Sequence, residues 1–196
     1  MKYDLIVCGA GPAGAMAAAT AARGGLRVLL LEKERLPRYK TCGGGMPMVV
    51  GDYLRGLAPE AFVEARVRYM RHTWDFSRPF LAEINPEGAS PDITIWMVQR
   101  SRFDHALVRE AVRCGAELRD GLAVRSVESN RGTVTVRAGT EGTDTAFTAS
   151  ADYVVGADGA NGITARAAGL RRRRRVAVAV EVEHPHEWGV GHPELR

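Results

Sequence analysis

The strongest indication of the fold is the stretch DLIVCGAGPAGAMAAATAARGGLRVLLLE, residues 4–32. Its first apolar run, residues 3–8, is rich in strand formers and stops at Gly9, which predicts a buried strand. Alanine-rich residues 13–23 predict a helix that ends at two glycines, and residues 27–31 predict a second buried strand. Because strand, helix and strand follow in this order, we expect a right-handed βαβ unit with two parallel strands.

The glycine motif GAGPAG, residues 9–14, lies directly between the predicted strand and the predicted helix. Gly9 permits a tight turn, Gly11 lets the backbone approach a pyrophosphate, and Gly14 allows close packing of helix on strand. The helix N-terminus offers amide groups and a positive dipole end to phosphates. Glu32 closes the second strand, where a carboxylate can accept hydrogen bonds from both ribose hydroxyls. These features predict a dinucleotide site; a glycine turn used only for packing is the alternative.

Beyond residue 32 the chain departs from a regular alternation of strands and helices. A basic loop at 33–45 ends in three glycines, and a helix is expected from residue 101, with Ser101 and Asp104 in a capping pattern. Since a nicotinamide dehydrogenase would continue the alternation, this architecture favours FAD. The expected strands are residues 66–74, 92–99, 116–118, an antiparallel meander of 122–128, 133–138 and 145–149, and a further buried strand at 153–155.

Composition narrows the classes of function. With 45% hydrophobic and 26% charged residues, the chain is typical of globular proteins. Its positive excess comes from the five arginines at 171–175, without which 22 basic residues face 23 acidic ones, so we expect no nucleic-acid partner. Three distant cysteines without CxxC spacing indicate neither disulfides nor a metal site and favour the cytoplasm. No apolar stretch approaches the roughly 20 residues that span a bilayer, so we expect at most peripheral membrane contact.

Four segments carry a resemblance to a known family. In order, they resemble the geranylgeranyl reductases and, more broadly, the flavin monooxygenases of the hydroxylase type. The resemblance covers nearly all of residues 3–169. It implies an α/β fold with a Rossmann-like FAD-binding domain, made of a βαβ unit and a β-meander, and the beginning of a substrate-binding β-sheet. The segments are DLIVCGAGPAGAMAA (4–18), LLLEKERLPRYKTCGGG (29–45), QRSRFDHAL (99–107) and VVGADGANGITAR (154–166).

The same resemblance implies how the chain is organised. Residues 1–65 and 99–170 would form a discontinuous FAD-binding domain, and residues 66–98 and 171–196 a partial substrate-domain sheet. Residues 176–183 have the pattern of a strand of that sheet. Because family members continue well beyond this length, we expect a truncated chain or a split-gene product. Alone, it should be poorly soluble or oligomeric, retain little FAD and be inactive.

Cofactor contacts are also implied by the resemblance. Arg100 would reach the flavin or its phosphates, with a solvated charge as the alternative, and Val124 would offer backbone contacts to the adenine. Asp158 would lie near the ribose and pyrophosphate, or else cap an ordinary strand-to-helix turn. The implied cofactor-binding residues are Gly9, Gly11, Pro12, Ala13, Gly14, Glu32, Lys33, Cys42, Gly43, Gly44, Arg100, Val124, Asp158 and Gly159.

Cys42 is the candidate catalytic residue, because the TCGGG segment of reductases in this family lies near the flavin ring. Successive glycine amides could lower its thiol pKa, although a small loop residue explains the position equally well. We expect Cys8 and Cys114 to lie in the core. Trp74 and Trp96 are expected in core or sheet packing, with contact to a lipid-like substrate as the alternative. His184 and His186 are expected to be solvated and not metal ligands.

The resemblance implies an FAD-dependent oxidoreductase that reduces isoprenoid double bonds with hydride from reduced flavin. NAD(P)H or ferredoxin would donate the electrons, and the substrate would be a lipid-like small molecule. A flavin-dependent monooxygenase or halogenase is the alternative on the same fold. A noncatalytic nucleotide-binding fragment is the alternative from a different class, and the oligomeric state stays open.

Overall fold

The computed structural model describes residues 2–54, 56–84, 95–140, 147–170 and 177–182. The chain forms two compact units, one of Met1–Tyr39 with Asp104–Val176 and one of Lys40–Phe103 with Ala177–Arg196. The predicted domain limits stay a prediction, because compactness assigns neither a cofactor nor a substrate to a unit.

Eleven strands and three α-helices are present in the described part of the chain. The strands are β1 (Lys2–Cys8), β2 (Val28–Leu31), β3 (Gly45–Pro47), β4 (Val63–Val67), β5 (Tyr69–Trp74), β6 (Ser77–Glu83), β7 (Ile95–Val98), β8 (Glu117–Arg119), β9 (Ala123–Asn130), β10 (Thr133–Gly139) and β11 (Phe147–Gly156). The helices are α1 (Pro12–Arg23), α2 (Arg100–Arg113) and α3 (Thr164–Ala167), with 3₁₀ turns at Met48–Tyr53 and Pro59–Ala61.

The first unit contains a six-stranded sheet in the order β8-β2-β1-β11-β10-β9. Strands β8, β2, β1 and β11 run parallel, while β11, β10 and β9 pair antiparallel. The expected βαβ unit is therefore present as β1, α1 and β2. Its helix forms because alanines dominate residues 13–22, and Ala15, Ala18 and Ala19, spaced three or four apart, are buried.

One expectation about the meander is wrong. Residues 153–155 do not form a separate strand, because β11 continues without a break from Phe147 to Gly156. Its first half pairs with β10 and its second half pairs with β1, and the two ladders overlap at Ser150 and Ala151. Because the two ladders overlap, the backbone of β11 has a hydrogen-bonded neighbour along its whole length and the strand continues.

The second unit has a three-stranded sheet, β3-β7-β4, and a separate β5–β6 hairpin. Its core is aromatic: the ring of Phe62 lies 6.1 Å from that of Trp96 and 5.1 Å from that of Phe103. Trp96 is buried as expected, but the expectation is wrong for Trp74, which is 77% exposed. Trp74 ends β5, and a two-stranded hairpin has too little surface to bury a ring there.

The strand expected at residues 176–183 is also absent from its described part. Residues 177–182 have no regular structure, and Val178, Val180 and Val182 are exposed. An alternating apolar pattern forms a stable strand only when a neighbouring strand satisfies its backbone groups, and none of the described strands pairs with it. The arginine run at 171–175 and the histidines at 184 and 186 lie outside the described residues.

The described ranges contain neither a membrane-spanning helix nor a cluster of metal ligands. No helix there has the length and apolar character that crossing a membrane requires. Within those same ranges no group of three or more His, Cys, Asp or Glu side chains is arranged to hold a metal ion.

Candidate cofactor site

Three strand ends converge at one edge of the parallel sheet. Cys8 is in register with Leu31 of β2 on one side and with Gly156 of β11 on the other. The segments that follow these strands are joined by backbone hydrogen bonds: Gly9 N–H donates to Leu31 O, and Ala157 N–H donates to Cys8 O, both at 2.8 Å. Carboxyl ends of parallel strands are where open α/β sheets bind their ligands.

The three glycines of the GxGxxG motif are required for different reasons. Gly9 has a φ of 101°, and a Cβ on Gly14 would overlap with the carbonyl oxygen of Gly9, so the fold itself requires both. Gly11 has an ordinary φ of −71°, and the one neighbour of a Cβ there would be Arg38 Nη2 at 3.7 Å. A Cβ at Gly11 would thus make only an ordinary van der Waals contact with the described chain, so the fold itself does not require glycine there and the close approach of a ligand would explain it.

Helix α1 presents its N-terminus to this space. Gly11 is the N-cap residue and Pro12 the first helical residue, and no described side chain caps the helix. Its first turn also contains no acidic residue. The uncapped amides and the helix dipole therefore favour an anion, such as the pyrophosphate of a dinucleotide.

Glu32 is buried, with 5% of its surface exposed. Its backbone is fixed on both sides, since its N–H donates to Arg119 O at 3.0 Å and its carbonyl accepts from Leu122 N–H at 2.8 Å. Its carboxylate accepts from Ala10 N–H at 2.9 Å and from Glu34 N–H at 3.2 Å. A carboxylate has about four acceptor positions, so Glu32 can still accept hydrogen bonds from ribose hydroxyls.

Two of the expected cofactor residues lie in less distinctive surroundings. The side chain of Lys33 is 70% exposed and its ammonium is 3.3 Å from Glu34 Oε1. Val124 is paired with Ala138 of β10, and its side chain packs against the apolar core of the sheet. Their contacts with the cofactor stay predictions.

Arg38 is a candidate site residue that the sequence alone did not predict. Its side chain is 13% exposed and lies between two buried carboxylates, with Nη2 3.2 Å from Asp104 Oδ2 and Nε 3.6 Å from Glu32 Oε1. Its Nη1 is buried and has no hydrogen-bond partner within the described chain. Asp104, expected to cap α2, instead lies inside the helix and pairs with Arg38. The available signal was an arginine shortly after the acidic end of β2, inside a motif of the resemblance.

Asp158 caps a helix. Its Oδ2 accepts from Ile163 N–H at 2.8 Å and Thr164 N–H at 3.0 Å, and its Oδ1 accepts from Thr164 Oγ1 at 2.5 Å. The structure thus supports the capping interpretation that the sequence left open. Gly159 follows with a φ of 76°. Contact of Asp158 and Gly159 with ribose or pyrophosphate stays a prediction.

The remaining expected site residues belong to the second unit, where the structure brings Cys42 and Arg100 together. The Gly44 N–H and the Arg100 side chain both hydrogen-bond the exposed Cys42 thiol and lower its pKa. Gly44 needs its glycine, because its φ is 78° and a Cβ would overlap with Val98 O, whereas a Cβ on Gly43 would meet no described atom within 4 Å. Burial, by contrast, raises the pKa of the Cys8 thiol to about 12.

Parallel strands of a mixed sheet that end in a glycine loop, an uncapped helix and a buried carboxylate are typical of a dinucleotide-binding α/β protein. The chain belongs to the FAD binding domain family, whose model matches residues 2–184. FAD as the cofactor and the expected FAD-binding fold are thereby confirmed. The residues present fit this group, since nothing in the described chain crowds a Cβ at Gly11, and the Arg38 guanidinium, whose Nη2 would lie 3.7 Å from that Cβ, has a buried Nη1 without a partner there.

Known proteins resemble the chain along most of its length. Geranylgeranyl diphosphate reductase of Rhodobacter capsulatus is 35% identical over 167 residues, which cover 82% of this chain and 38% of the reductase. A flavin-dependent halogenase of Armillaria mellea is 33% identical over 178 residues, 83% of this chain and 33% of the halogenase. The crystal structure of a geranylgeranyl bacteriochlorophyll reductase-like protein from Thermoplasma acidophilum has a TM-score of 0.70 and 26% identity, covering 87% of this chain and 42% of that one.

The chain thus spans between about a third and about two fifths of the length of these proteins. Among its relatives are a geranylgeranyl diphosphate reductase and a flavin-dependent halogenase, which agrees with the expected class of enzyme, an FAD-dependent oxidoreductase.

Proposed function

We propose that the protein is a reductase of isoprenoid carbon–carbon double bonds that uses FAD and takes a lipid-like small-molecule substrate. The observation that carries the proposal is the exposed Cys42 thiol, hydrogen-bonded by Gly44 N–H and Arg100 in the segment TCGGG. The relatives include a geranylgeranyl diphosphate reductase that is 35% identical over 82% of this chain.

Reduction of a carbon–carbon double bond consumes one hydride and one proton. The hydride to one carbon is the chemistry that reduced FAD would supply when bound. Cys42 Sγ holds a proton for the other carbon, and the Gly44 amide and the Arg100 guanidinium ease its release because both stabilise the thiolate. Since Cys42 is exposed, its thiolate regains a proton from water after each turnover.

A halogenase or monooxygenase is the second candidate, because the Armillaria mellea halogenase is nearly as similar as the reductase. The exposure and the lowered pKa of the Cys42 thiol argue against a halogenase or monooxygenase. Exposed thiolates of lowered pKa are readily oxidised to sulfenic and higher acids, so such a residue is poorly suited to an oxygen-activating site. NAD(P)H or ferredoxin as donor and a cytoplasmic, at most membrane-peripheral, location complete the proposal.

The test is anaerobic turnover of geranylgeranyl diphosphate with dithionite-reduced FAD. Because the chain spans only part of its relatives, two preparations are compared: the 196-residue chain, and the Rhodobacter capsulatus reductase in which this chain replaces the matching segment. We expect the chimera to add two hydrogens per reduced double bond, as seen by mass spectrometry.

Matched variants of the chimera separate the candidates. Cys42→Ser should slow product formation, whereas Cys114→Ser, which changes a cysteine in the other compact unit, should not. A product that forms only in air and carries oxygen or halogen would contradict the proposal and favour the second candidate. Tight FAD binding without any product in either atmosphere would favour a noncatalytic nucleotide-binding protein.

A further inference from the structure

We propose that Arg38 is a cofactor-binding residue whose guanidinium donates a hydrogen bond to a pyrophosphate oxygen of the dinucleotide. Glu32 and Asp104 position its guanidinium for this contact. The proposal rests on FAD binding alone and holds whether the protein reduces, halogenates or hydroxylates its substrate.

Two buried carboxylates hold the Arg38 guanidinium in place. Its Nε lies 3.6 Å from Glu32 Oε1 and its Nη2 lies 3.2 Å from Asp104 Oδ2, and both carboxylates are buried. A guanidinium is planar and its five N–H donors point in fixed directions. Contacts at two nitrogens therefore fix the direction of the third, so the orientation of Nη1 is set before any ligand arrives.

Arg38 Nη1 has no hydrogen-bond partner in the described chain. It is buried, and no atom of the described chain accepts a hydrogen bond from it. Buried donors are nearly always satisfied in folded proteins, because losing water without gaining an acceptor is costly. An acceptor from a ligand would resolve this, and an anionic acceptor suits a guanidinium best.

The Arg38 guanidinium also lies close to the N-terminus of α1. A Cβ on Gly11 would lie 3.7 Å from Arg38 Nη2, so the guanidinium borders the uncapped N-terminus of α1. Two independent attractions for an anion, the helix amides and an arginine, therefore meet at one place. The acceptor Glu32 suits ribose hydroxyls and the donor Arg38 suits phosphate oxygens, which divides the adenosine diphosphate half of FAD between them.

The experiment is isothermal titration of the full chain with adenosine, ADP and FAD. In Arg38→Met, which keeps an apolar stem but removes all donors, ADP and FAD should bind about 10-fold to 100-fold more weakly, the range for a hydrogen bond to a charged group. Adenosine, which has no phosphate, should bind within about twofold of the parent, too small a change for loss of such a bond. Arg38→Lys should recover part of the ADP affinity.

Arg35→Met is the matched control, because Arg35 lies in the same loop, is 81% exposed and pairs with Asp120. It should leave the affinities for all three ligands unchanged. An equal loss of adenosine and ADP affinity in Arg38→Met would show that Arg38 only positions Glu32 and would overturn the proposal. The proposal would also be overturned if the parent chain bound ADP no more tightly than adenosine. If Arg38→Met fails to fold by circular dichroism, Arg38→Lys decides, with a loss confined to ADP and FAD expected.

Discussion

The backbone N–H of Ala10 donates a 2.9 Å hydrogen bond to Glu32 Oε2, which ties the glycine motif to the residue that follows β2. The glycine loop and the ribose-type carboxylate are therefore one structure and not two neighbouring motifs. A change in Glu32 acts on the adenosine end of the site directly and on the loop through Ala10.

Glu32→Ala should weaken FAD binding by about 1.5 to 3 kcal/mol, the range for a hydrogen bond to a charged group. Unlike Arg38→Met, it should weaken the binding of adenosine as well as that of FAD, because the lost acceptor serves the ribose. Isothermal titration measures both. Glu34→Ala is the control, since that carboxylate is 54% exposed and pairs with Lys33; an FAD affinity unchanged in Glu32→Ala would remove Glu32 from the site.

Gly11→Ala should mainly weaken FAD binding, whereas Gly14→Ala should mainly lower the free energy of unfolding. The added Cβ at position 11 meets a protein atom only at 3.7 Å, so we expect less than about 1 kcal/mol of destabilisation from the poorer N-cap but FAD binding at least about tenfold weaker. At position 14 the Cβ overlaps with Gly9 O, so the cost should approach about 3 kcal/mol, the upper range for overpacking. Urea unfolding and FAD titration check both. An FAD affinity unchanged in Gly11→Ala would show that the space belongs to no phosphate.

Cys42 should react with iodoacetamide at a lower pH than an ordinary thiol, because Gly44 and Arg100 lower its pKa. Arg100→Gln should shift the rate profile to higher pH. Cys42→Ser should abolish the fast reaction, while buried Cys8, with a pKa raised to about 12, stays slow. A profile for Cys42 that matches a free thiol peptide would contradict the proposed role of Arg100.

Glu110 joins α1 to α2 and should make stability depend on pH. Hydrogen bonds from Arg113 and Arg23 lower the pKa of this buried carboxyl from 4.5 to about 2. A lowered folded-state pKa adds stability above the unfolded value of 4.5, which is lost as the pH falls from 4.5 toward about 2.

Glu110→Gln should therefore lower the free energy of unfolding by about 2 kcal/mol near neutral pH, with a smaller difference in acid. Urea unfolding at several pH values measures this. Glu128→Gln is the control, because its pair with Arg137 is exposed on both sides and should contribute less than about 1 kcal/mol. A difference between parent and Glu110→Gln that stays constant down to the acid end would contradict the assignment.

The parts of the fold that the sequence predicts are those fixed by local pattern. The two apolar runs of the βαβ unit, its alanine-rich helix and the position of Glu32 each depend on neighbours in the chain, and these are found where expected. The pattern VAVAVEV at 176–182 shows the limit, because strand formation depends on a pairing partner that alternation alone cannot supply.

Long-range contacts explain what sequence analysis missed at the site. Arg38 and Asp104 come from a loop after β2 and from the interior of α2, and their ion pair depends on how that helix packs in the first unit. The pairing of Cys42 with Arg100 is of the same kind. Each residue was visible as a charge or a thiol, but its partner was not.

If the first unit binds FAD through its adenosine and pyrophosphate end, the chain should prefer FAD to FMN. FMN carries the same flavin ring but has a single phosphate and no adenosine. Titration of the full chain should show FAD, and also ADP, binding at least about tenfold more tightly than FMN. FMN binding as tight as FAD binding would contradict the account, because the affinity would then come from the flavin ring and not from Glu32, the glycine loop and α1.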